Sequence, residues 1–368
     1  NAIKELYADN YLSNTQGGNS FPLLTAAFPQ LKVLRMSDNG FAGQLPNPAD
    51  IAPNMEALYV NNNQFTGIDT SGASPLQLKV VEIDNNRLSS VAYLAKMLED
   101  LPQLQELSAR NALNNQVHAL QDLGGVFIAS DFSGGRIDFG NNRLQGQIGL
   151  NVNEFGKLKV LVLDSNLLVN ILPPSGPLDS LQILNLSHNV IAAKMDTFSK
   201  MFMLMPNIEV LKLNNNFLGG KFPRLTILNA LVFPPLENLK ELDLSNNAIF
   251  GKIHMDQLFQ RQIQSGNPKI RKIDFSANYL DEIILVNPGA VPFQNLESVN
   301  VRQNRLSFED LYKLAKGMKM VKVNANSYYD YYAPSNNPSD SLAFDHRIQR
   351  PRGQGGAKRR PQGRDIGI

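Results

Sequence analysis

The chain has 368 residues, 43% of them hydrophobic and 18% charged, which excludes a disordered protein and suits one extended domain or two compact ones. It has no cysteine, so disulfide frameworks, thiolate metal sites and cysteine nucleophiles are excluded, and its four histidines are too scattered for a His-rich metal site. No apolar run approaches the ~18 residues of a membrane-spanning helix. The start at Asn1, with neither a Met nor a visible secretion signal, suggests a processed or truncated chain.

A short pattern recurs along the chain from its start to about residue 330. In the segment 239–249 it reads Leu-x-x-Leu-x-Leu-x-x-Asn-x-Ile. Ten further segments fit this template, and they place their asparagine at Asn39, Asn63, Asn86, Asn142, Asn166, Asn189, Asn216, Asn278, Asn304 and Asn326. Two other copies, Ile3–Leu12 and Leu104–Leu113, are one residue shorter. The pattern therefore predicts 13 repeats of one structural unit.

Each copy is expected to begin with a short strand. The apolar residues at template positions 4 and 6 flank one residue that faces the other way, because side chains alternate along a strand. The Asn that follows bonds backbone groups left unpaired by the turn, so stacked copies form a ladder of buried amides. A single copy cannot bury its apolar edge, but its neighbours cover it.

A longer period groups the repeats in fours. The first four repeats start 101 to 103 residues before the next four, which divides the chain into units 3–103, 104–207 and 208–317 and a last repeat 318–328. The second repeat of each unit has a glycine after the core, at Gly43, Gly146 and Gly251. The fourth has a helical apolar stripe, at 91–98, 195–204 and 308–315. We expect these helices on the convex side.

The segments Phe41-Ala42-Gly43-Gln44-Leu45-Pro46 and Leu218-Gly219-Gly220-Lys221-Phe222-Pro223 extend the template. With the core, they resemble the pattern LxxLxLxxNxLxGxIP of plant-type leucine-rich repeats, found in receptor ectodomains, polygalacturonase inhibitors and bacterial surface proteins. The resemblance implies an α/β fold for residues 1–330. This fold is a curved right-handed solenoid with a parallel concave sheet and convex loops, 3₁₀ turns and short helices. It also implies a role in recognition.

Two features depart from the plant pattern. Plant ectodomains carry cysteine-paired caps, which this chain lacks, and its repeats vary from 22 to 31 residues. We therefore expect a bacterial, cysteine-free surface or secreted protein, located outside the cell or at its surface.

The candidate binding residues are the outward strand residues, one from each repeat, which neighbouring strands place side by side ~4.8 Å apart. We predict that they form a non-catalytic binding face for a protein or glycan. They are Arg35, Tyr59, Glu82, Asp138, Asn185, Lys212, Asp243, Asp274 and Asn300, in a row completed by Tyr7, Ser108, Val162 and Lys322. The next outward positions include Asp38, Asn61, Asp84, Asn85, Asp164, His188, Asn214 and Arg302.

One alternative is an enzyme, because Asp243 and Asp274 occupy equivalent places on adjacent repeats and form a candidate carboxylate pair. The sequence has no phosphate-binding glycine motif, so no nucleotide is predicted, and no cofactor or metal is expected either.

The C-terminal extension 331–368 follows a tyrosine cluster at 328–332 and is rich in Pro, Arg and Gly. The chain's net charge of +2 arises from an excess of basic residues in this extension. From Asp345 onward seven Lys/Arg face two Asp, which leaves 28 basic and 31 acidic residues before that point. The basic tail 347–364 has too few apolar residues to fold alone. Three roles are open: contact with a polyanion, a linker, or an arm that docks this chain as a structural subunit of a larger surface assembly.

Overall fold

A computed structural model describes residues 2–324, except for 13–17, 23, 25–27, 72–76, 102, 115–117, 120–134, 151–154, 196–200, 202–203, 222–235, 285–294, 308 and 312–321. The tyrosine cluster, the extension 331–368 and most of the predicted helices 195–204 and 308–315 lie outside these residues. Within them, every helix is too short or too polar to cross a membrane.

Thirteen three-residue strands form one parallel sheet, the main sheet. From the second strand of this sheet to the twelfth, the central residue is a buried Leu, Ile or Val, as the template requires. In sheet order the strands are β1 Glu5–Tyr7, β2 Val33–Arg35, β4 Ala57–Tyr59, β6 Val80–Glu82, β7 Glu106–Ser108, β9 Arg136–Asp138, β11 Val160–Val162, β13 Ile183–Asn185, β14 Val210–Lys212, β16 Glu241–Asp243, β18 Lys272–Asp274, β20 Ser298–Asn300 and β21 Lys322–Asn324.

The pairing places the predicted outward residues next to one another. Arg35 pairs with Tyr59, Lys212 with Asp243, and Asp243 with Asp274. The last strand differs from the prediction: Asn324, and not Lys322, pairs with Asn300. The apolar template therefore fits this segment two residues later than the sequence analysis placed it, because Met320 and Val323 substitute for Met318 and Val321 at the same spacing.

The asparagine ladder is buried and fully bonded. The ten template asparagines from Asn39 to Asn304 that lie in the described residues are all buried. Asn166 is representative, because its Nδ2 donates to the carbonyl of Phe139 in the preceding repeat (3.0 Å) and to its own Leu163 carbonyl (3.1 Å). Its Oδ1 accepts the Leu144 amide of the preceding repeat at 3.0 Å. Each asparagine thus bonds one repeat to the next.

The ladder has a gap at one of the shortened copies. In Leu104–Leu113 the ladder position holds Ala112, which is fully buried. The Leu88 amide, which would bond an asparagine there, donates instead to the Ala112 carbonyl at 2.8 Å. An isolated bridge between Leu88 and Leu113 continues this backbone contact. Because alanine has no amide side chain, the two backbones bond each other directly where elsewhere an asparagine side chain lies between them.

A second set of strands, the lateral strands, follows the ladder. They are β3 Ala42–Leu45, β5 Gln64–Ile68, β8 His118–Ala119, β10 Leu144–Gly149, β12 Leu167–Leu172, β15 Gly219–Lys221, β17 Ala248–His254 and β19 Tyr279–Ile284, in sheets β3-β5, β12-β10-β8 and β15-β17-β19. Their register shifts after Gly43, Gly146 and Gly251, where φ is 82°, 109° and 89°. These glycines supply the left-handed backbone of a bulge at the same place in each predicted four-repeat unit.

The buried apolar side chains form one continuous core between the two sets of strands and the connections. The connections contain the helices α1 Pro48–Ile51, α2 Ala92–Asp100, α3 Met255–Leu258 and α4 Gln260–Gln264. Helix α2 matches the predicted stripe at 91–98 and buries Leu94 and Leu98. The predicted 3₁₀ turns are single i→i+3 bonds, as from Leu31 to Phe28, and no 3₁₀ helix occurs among the described residues.

Candidate functional site: the concave face

The solvent side of the main sheet, here called the concave face, has two rows of side chains. The first row is the third residue of each strand and contains all nine predicted site residues. The second row lies two residues later, and its central members are Asp84, Arg110, Gly140, Asp164 and Ser187. The rows differ along the sheet, so three parts are described in turn.

The N-terminal part is aromatic and partly open. Tyr7 is 61% exposed, and its hydroxyl donates to Glu5 at 2.7 Å. The Arg35 guanidinium lies 4.4 Å from the centre of the Tyr59 ring, a cation–π contact, and its Nε is 3.3 Å from Asp9. Burial, reinforced by the charge of Glu82, raises the pKa of Tyr59. Here two predicted site residues, Arg35 and Tyr59, contact each other.

The central part is an internally neutralised charge cluster. Arg110 binds Asp164 with two bonds, Nη1–Oδ1 of 2.8 Å and Nη2–Oδ2 of 2.6 Å. Its Nη1 also lies 3.3 Å from Asp138, which accepts a 2.7 Å bond from Arg136. A Cβ on Gly140 would lie 2.0 Å from Arg110 Nη1, so glycine is what allows this side chain to cross the strand between Arg110 and Asp164.

Asp138 corrects one expectation. It was predicted to project freely from the strand, but it is only 5% exposed. The reason is that Arg110 from the preceding repeat and Arg136 from its own strand cover its carboxylate, while the Gly140 amide donates to it at 3.0 Å. Its neighbours in the first row, Ser108 and Val162, are buried as well.

The pKa values of the two other carboxylates of the centre, Asp164 and Asp84, are shifted in opposite directions. Burial disfavours the charge of Asp164, but the bonds and charge of Arg110 outweigh it, so the pKa of Asp164 is lowered. Burial raises the pKa of Asp84, although Ser108 (2.7 Å) and the Arg110 amide (2.7 Å) both donate to it. The two pKa shifts differ in sign because Asp164 pairs with a cation, Arg110, and Asp84 does not.

The C-terminal part is acidic. Asp243 accepts bonds from the amide and hydroxyl of Ser245 (3.0 and 2.7 Å), and Asp274 accepts the same pair from Ser276 (2.8 and 2.6 Å). Asn300 donates to Asp274 at 2.8 Å. Burial, and then the nearby charge of Asp274, raises the pKa of Asp243. Neither carboxylate forms an ion pair with a described residue, because Lys212 binds Glu241 at 3.1 Å.

The remaining first-row residues have modest roles in this geometry. Glu82 accepts a bond from Asn61 at 2.9 Å, and Asn185 accepts bonds from Ser187 while its amide lies 3.3 Å from Asp164. Three of the predicted next outward residues, Asp38, Asn85 and His188, lie outside the second row. Their φ angles of 60°, 53° and 54° place them in the left-handed turn that precedes each ladder asparagine.

Sequence reasoning missed Arg110, Arg136 and Gly140. The available signal was Gly140 itself, because it stands in the second row, where most neighbouring repeats have a polar side chain. A glycine between an arginine and an aspartate of the same row leaves space for a pair that spans two repeats.

Comparison with known proteins agrees with this architecture. A family model described as Leucine Rich Repeat matches residues 238–257. Receptor-like protein 35 of Arabidopsis thaliana is 27% identical over 274 residues, which are 74% of this chain and 24% of that protein. The chain therefore spans about a quarter of the length of this relative.

Two solved plant structures show the same fold. The peptide hormone receptor RGFR1 in complex with RGF2 has a TM-score of 0.56 and 19% identity, over 88% of this chain and 51% of that one. The ectodomain of the receptor kinase GASSHO1/SCHENGEN3 from Arabidopsis thaliana has a TM-score of 0.57 and 19% identity, over 89% of this chain and 42% of that one. These likenesses concern the fold and the repeat type, and a bacterial origin stays a prediction. The chain has a leucine-rich-repeat fold, and its repeats are similar to those of plant receptors.

Proposed function

We propose that the concave face binds a peptide or protein ligand outside the cell or at its surface, without catalysis. The observation that carries this proposal is the unequal state of the charges along the face. In the centre, Arg110 and Arg136 neutralise Asp164 and Asp138, whereas Asp243 and Asp274 form no ion pair with a described residue. The aromatic N-terminal part is partly open.

This distribution suggests how a ligand lies on the face. A basic group of the ligand fits over Asp243 and Asp274, because no described cation neutralises either carboxylate and the partly buried charge of Asp243 gains from a cation brought to it. An apolar or aromatic group fits against Tyr7 and Tyr59, since exposed aromatics contribute much of the energy of binding interfaces. The neutralised centre positions the two ends and contributes little attraction.

The comparisons support a peptide or protein ligand over a glycan. The two plant structures named above are receptors in complex with RGF2 and with CASPARIAN STRIP INTEGRITY FACTOR 2, and a third with a TM-score of 0.54 contains the leucine-rich repeats of FLRT2 in an octameric complex. The relative is named as a receptor-like protein, which supports an extracellular or surface location.

The surroundings of the carboxylate pair favour a binding role over an enzymatic one. The arrangement in which a first-row side chain accepts the amide and hydroxyl of a serine two residues later occurs at Asp243, at Asp274 and also at Asn185, which has no carboxylate. A motif that works with an amide does not depend on acid–base chemistry.

Selection from a random peptide display library on the full chain tests the proposal. Selected peptides should lose affinity for Tyr59→Ala and for the double variant Asp243→Asn/Asp274→Asn. They should bind Lys96→Ala normally, because Lys96 lies on helix α2 and pairs with Asp100 there. Peptides that bind all three variants equally, or a library that yields no binder, would refute a ligand site on this face.

A further inference from the structure

The lateral strands expose a second surface. Side chains alternate along them, so that Leu168, Leu218 and Leu280 are buried while the residues beside them face solvent. Five large apolar side chains on this surface, here called the lateral patch, are substantially exposed: Val169, Val190, Phe217, Phe250 and Tyr279. Phe217 is 62% exposed and Tyr279 is 49% exposed.

Backbone pairing joins these residues in two groups, Val169–Val190–Phe217 and Phe250–Tyr279. Phe250 pairs directly with Tyr279, and the Phe217 amide donates to the Ile191 carbonyl beside Val190 at 2.9 Å. The Val190 amide in turn donates to the Leu168 carbonyl beside Val169 at 3.0 Å. The lateral patch therefore crosses five successive repeats, roughly 20 Å at the usual strand spacing.

The centre of the lateral patch is recessed. Gly219 pairs with Ala248, and both lie between Phe217 and Phe250. A Cβ on Gly219 would have no neighbour closer than 3.9 Å, so nothing fills this position. Small residues between aromatic ones leave a depression into which another apolar side chain fits.

Cations border the lateral patch. Lys194 pairs with Gly219 and Lys221 with Phe250, both lysines are exposed, and neither forms an ion pair with a described residue. The Arg305 guanidinium lies 5.1 Å from the centre of the Tyr279 ring. Of the nearby acids, Glu282 is bound to Lys252, and Asp281 is exposed at the far end.

We propose that the lateral patch docks an acidic, apolar segment of a partner protein. Apolar side chains of that segment cover Phe217, Phe250 and the depression between them, while its carboxylates meet Lys194 and Lys221. Contiguous exposed apolar surface with a charged rim is typical of protein interfaces. The inference concerns a different face from the concave ligand site and does not depend on it.

The charge of the rim selects this partner over a second copy of the chain. A symmetric contact would bring the lysines of one patch against those of the other. A flat sheet surface also differs from the protruding loops through which proteins insert aromatic residues into membranes. Binding to a second copy of the chain and binding to a membrane nevertheless give distinct results in the experiment below.

The test uses the full chain and three short synthetic peptides with a fluorescent label, alternating Glu/Leu, Lys/Leu and Glu/Ser. The chain carries Asp243→Asn/Asp274→Asn, which removes the acidic end of the concave face as a competing site for the Lys/Leu peptide. Fluorescence anisotropy should then show binding of the Glu/Leu peptide and weak or no binding of the other two. Phe217→Ser should weaken binding of the Glu/Leu peptide by at least about tenfold. Lys221→Glu should weaken binding of the Glu/Leu peptide and strengthen binding of the Lys/Leu peptide. Lys96→Ala, on helix α2 and outside both faces, should leave all three affinities unchanged.

Several outcomes would overturn the proposal. They are equal affinity for the Glu/Leu and Lys/Leu peptides, an unchanged affinity in Phe217→Ser, or no Glu/Leu binding up to about 1 mM. Self-association that Phe217→Ser abolishes, without peptide binding, would assign the patch to a second copy. Binding to phosphatidylserine vesicles, without peptide binding, would assign it to a membrane. Melting curves confirm folding, and because both changed residues are solvent-exposed we expect them to be unaltered.

Discussion

Arg110 and Asp164 are joined by two hydrogen bonds across an entire intervening strand. Arg110 follows β7 and Asp164 follows β11, so the side chain passes over β9, a distance of roughly 10 Å between the outer strands. The pair couples three repeats through side chains alone, in addition to the backbone bonds of the sheet.

Gly140→Ala should break this pair. The new Cβ would take the position of the Arg110 guanidinium and leave the buried Asp164 carboxylate without its cation, so we expect a loss of about 1–3 kcal/mol in the free energy of unfolding. Chemical denaturation measures it. Gly149→Ala is the matched control, because its Cβ would be 3.8 Å from Leu172 and should cost little. Equal losses in the two variants would contradict the crossing of Arg110 over Gly140.

Asn189→Ala should be strongly destabilising. The amide donates to Leu163, Leu186 and Ser187 carbonyls and accepts from Leu168, so its removal strands buried groups at a cost of about 1–3 kcal/mol. Thermal or chemical unfolding gives the difference.

Asn62→Gly is the matched control for Asn189→Ala, since it removes an exposed amide, whose Oδ1 accepts a surface bond from Asn85 at 2.8 Å, and keeps the left-handed backbone at φ 55°. Asn61, which the sequence placed in solvent, is unsuitable because it bonds both Glu82 and the Asp84 amide. A similar melting shift for Asn189→Ala and Asn62→Gly would show that the ladder adds no stability.

Asp243→Asn and Asp164→Asn should have opposite effects. Burial raises the pKa of Asp243, so its ionised form opposes folding at neutral pH, and Asp243→Asn should stabilise the chain there. This gain should shrink as the pH falls to about 4, where the unfolded carboxyl is also protonated.

Asp164 behaves in the reverse way. The pKa of Asp164 is lowered, so its charge stabilises the fold above about pH 4 and that contribution is lost as the pH falls through the lowered pKa. Asp164→Asn should therefore destabilise the chain at neutral pH and cost less in acid. Denaturation curves across the pH range follow both variants, and effects of the same sign at neutral pH would contradict these assignments.

Ala277→Asn should stabilise the protein. Ala277 has φ 52°, in the left-handed turn, and seven of the twelve non-glycine residues with positive φ in the described part of the chain are asparagine. An alanine is strained there, whereas asparagine tolerates this backbone, so we expect a gain of about 0.5–1 kcal/mol. Ala192→Asn, at an exposed position with ordinary φ, is the control. A lower melting temperature for Ala277→Asn than for the native chain would contradict the prediction.

The strands and the ladder were predictable because they depend on residues close together in sequence. Leu34, Met36 and Asn39 fix the inward face and the cap of one repeat, and the same spacing recurs in the others. The last strand moved by two residues because Met318, Met320, Val321 and Val323 satisfy the apolar template in both registers.

The central cluster and the lateral patch were not predictable from the template. The Arg110–Asp164 pair depends on three repeats at once, and its decisive residue is a glycine with no side chain. Phe217 occupies a template position that accepts any residue, so nothing local indicates that its neighbours on the adjoining repeats are apolar as well.

The gap at Ala112 has a consequence for how the molecule yields to strain. In a linear array, neighbouring units hold together only through the contacts at each junction, and the weakest junction decides where the array divides. At the junction between the repeats of Asn86 and Ala112, a bond from the Leu88 amide to the Ala112 carbonyl stands in place of the asparagine side-chain bonds found at the adjacent junctions. We expect a chain pulled from its two ends to part first at this junction, so that the repeats before it open separately from those after it.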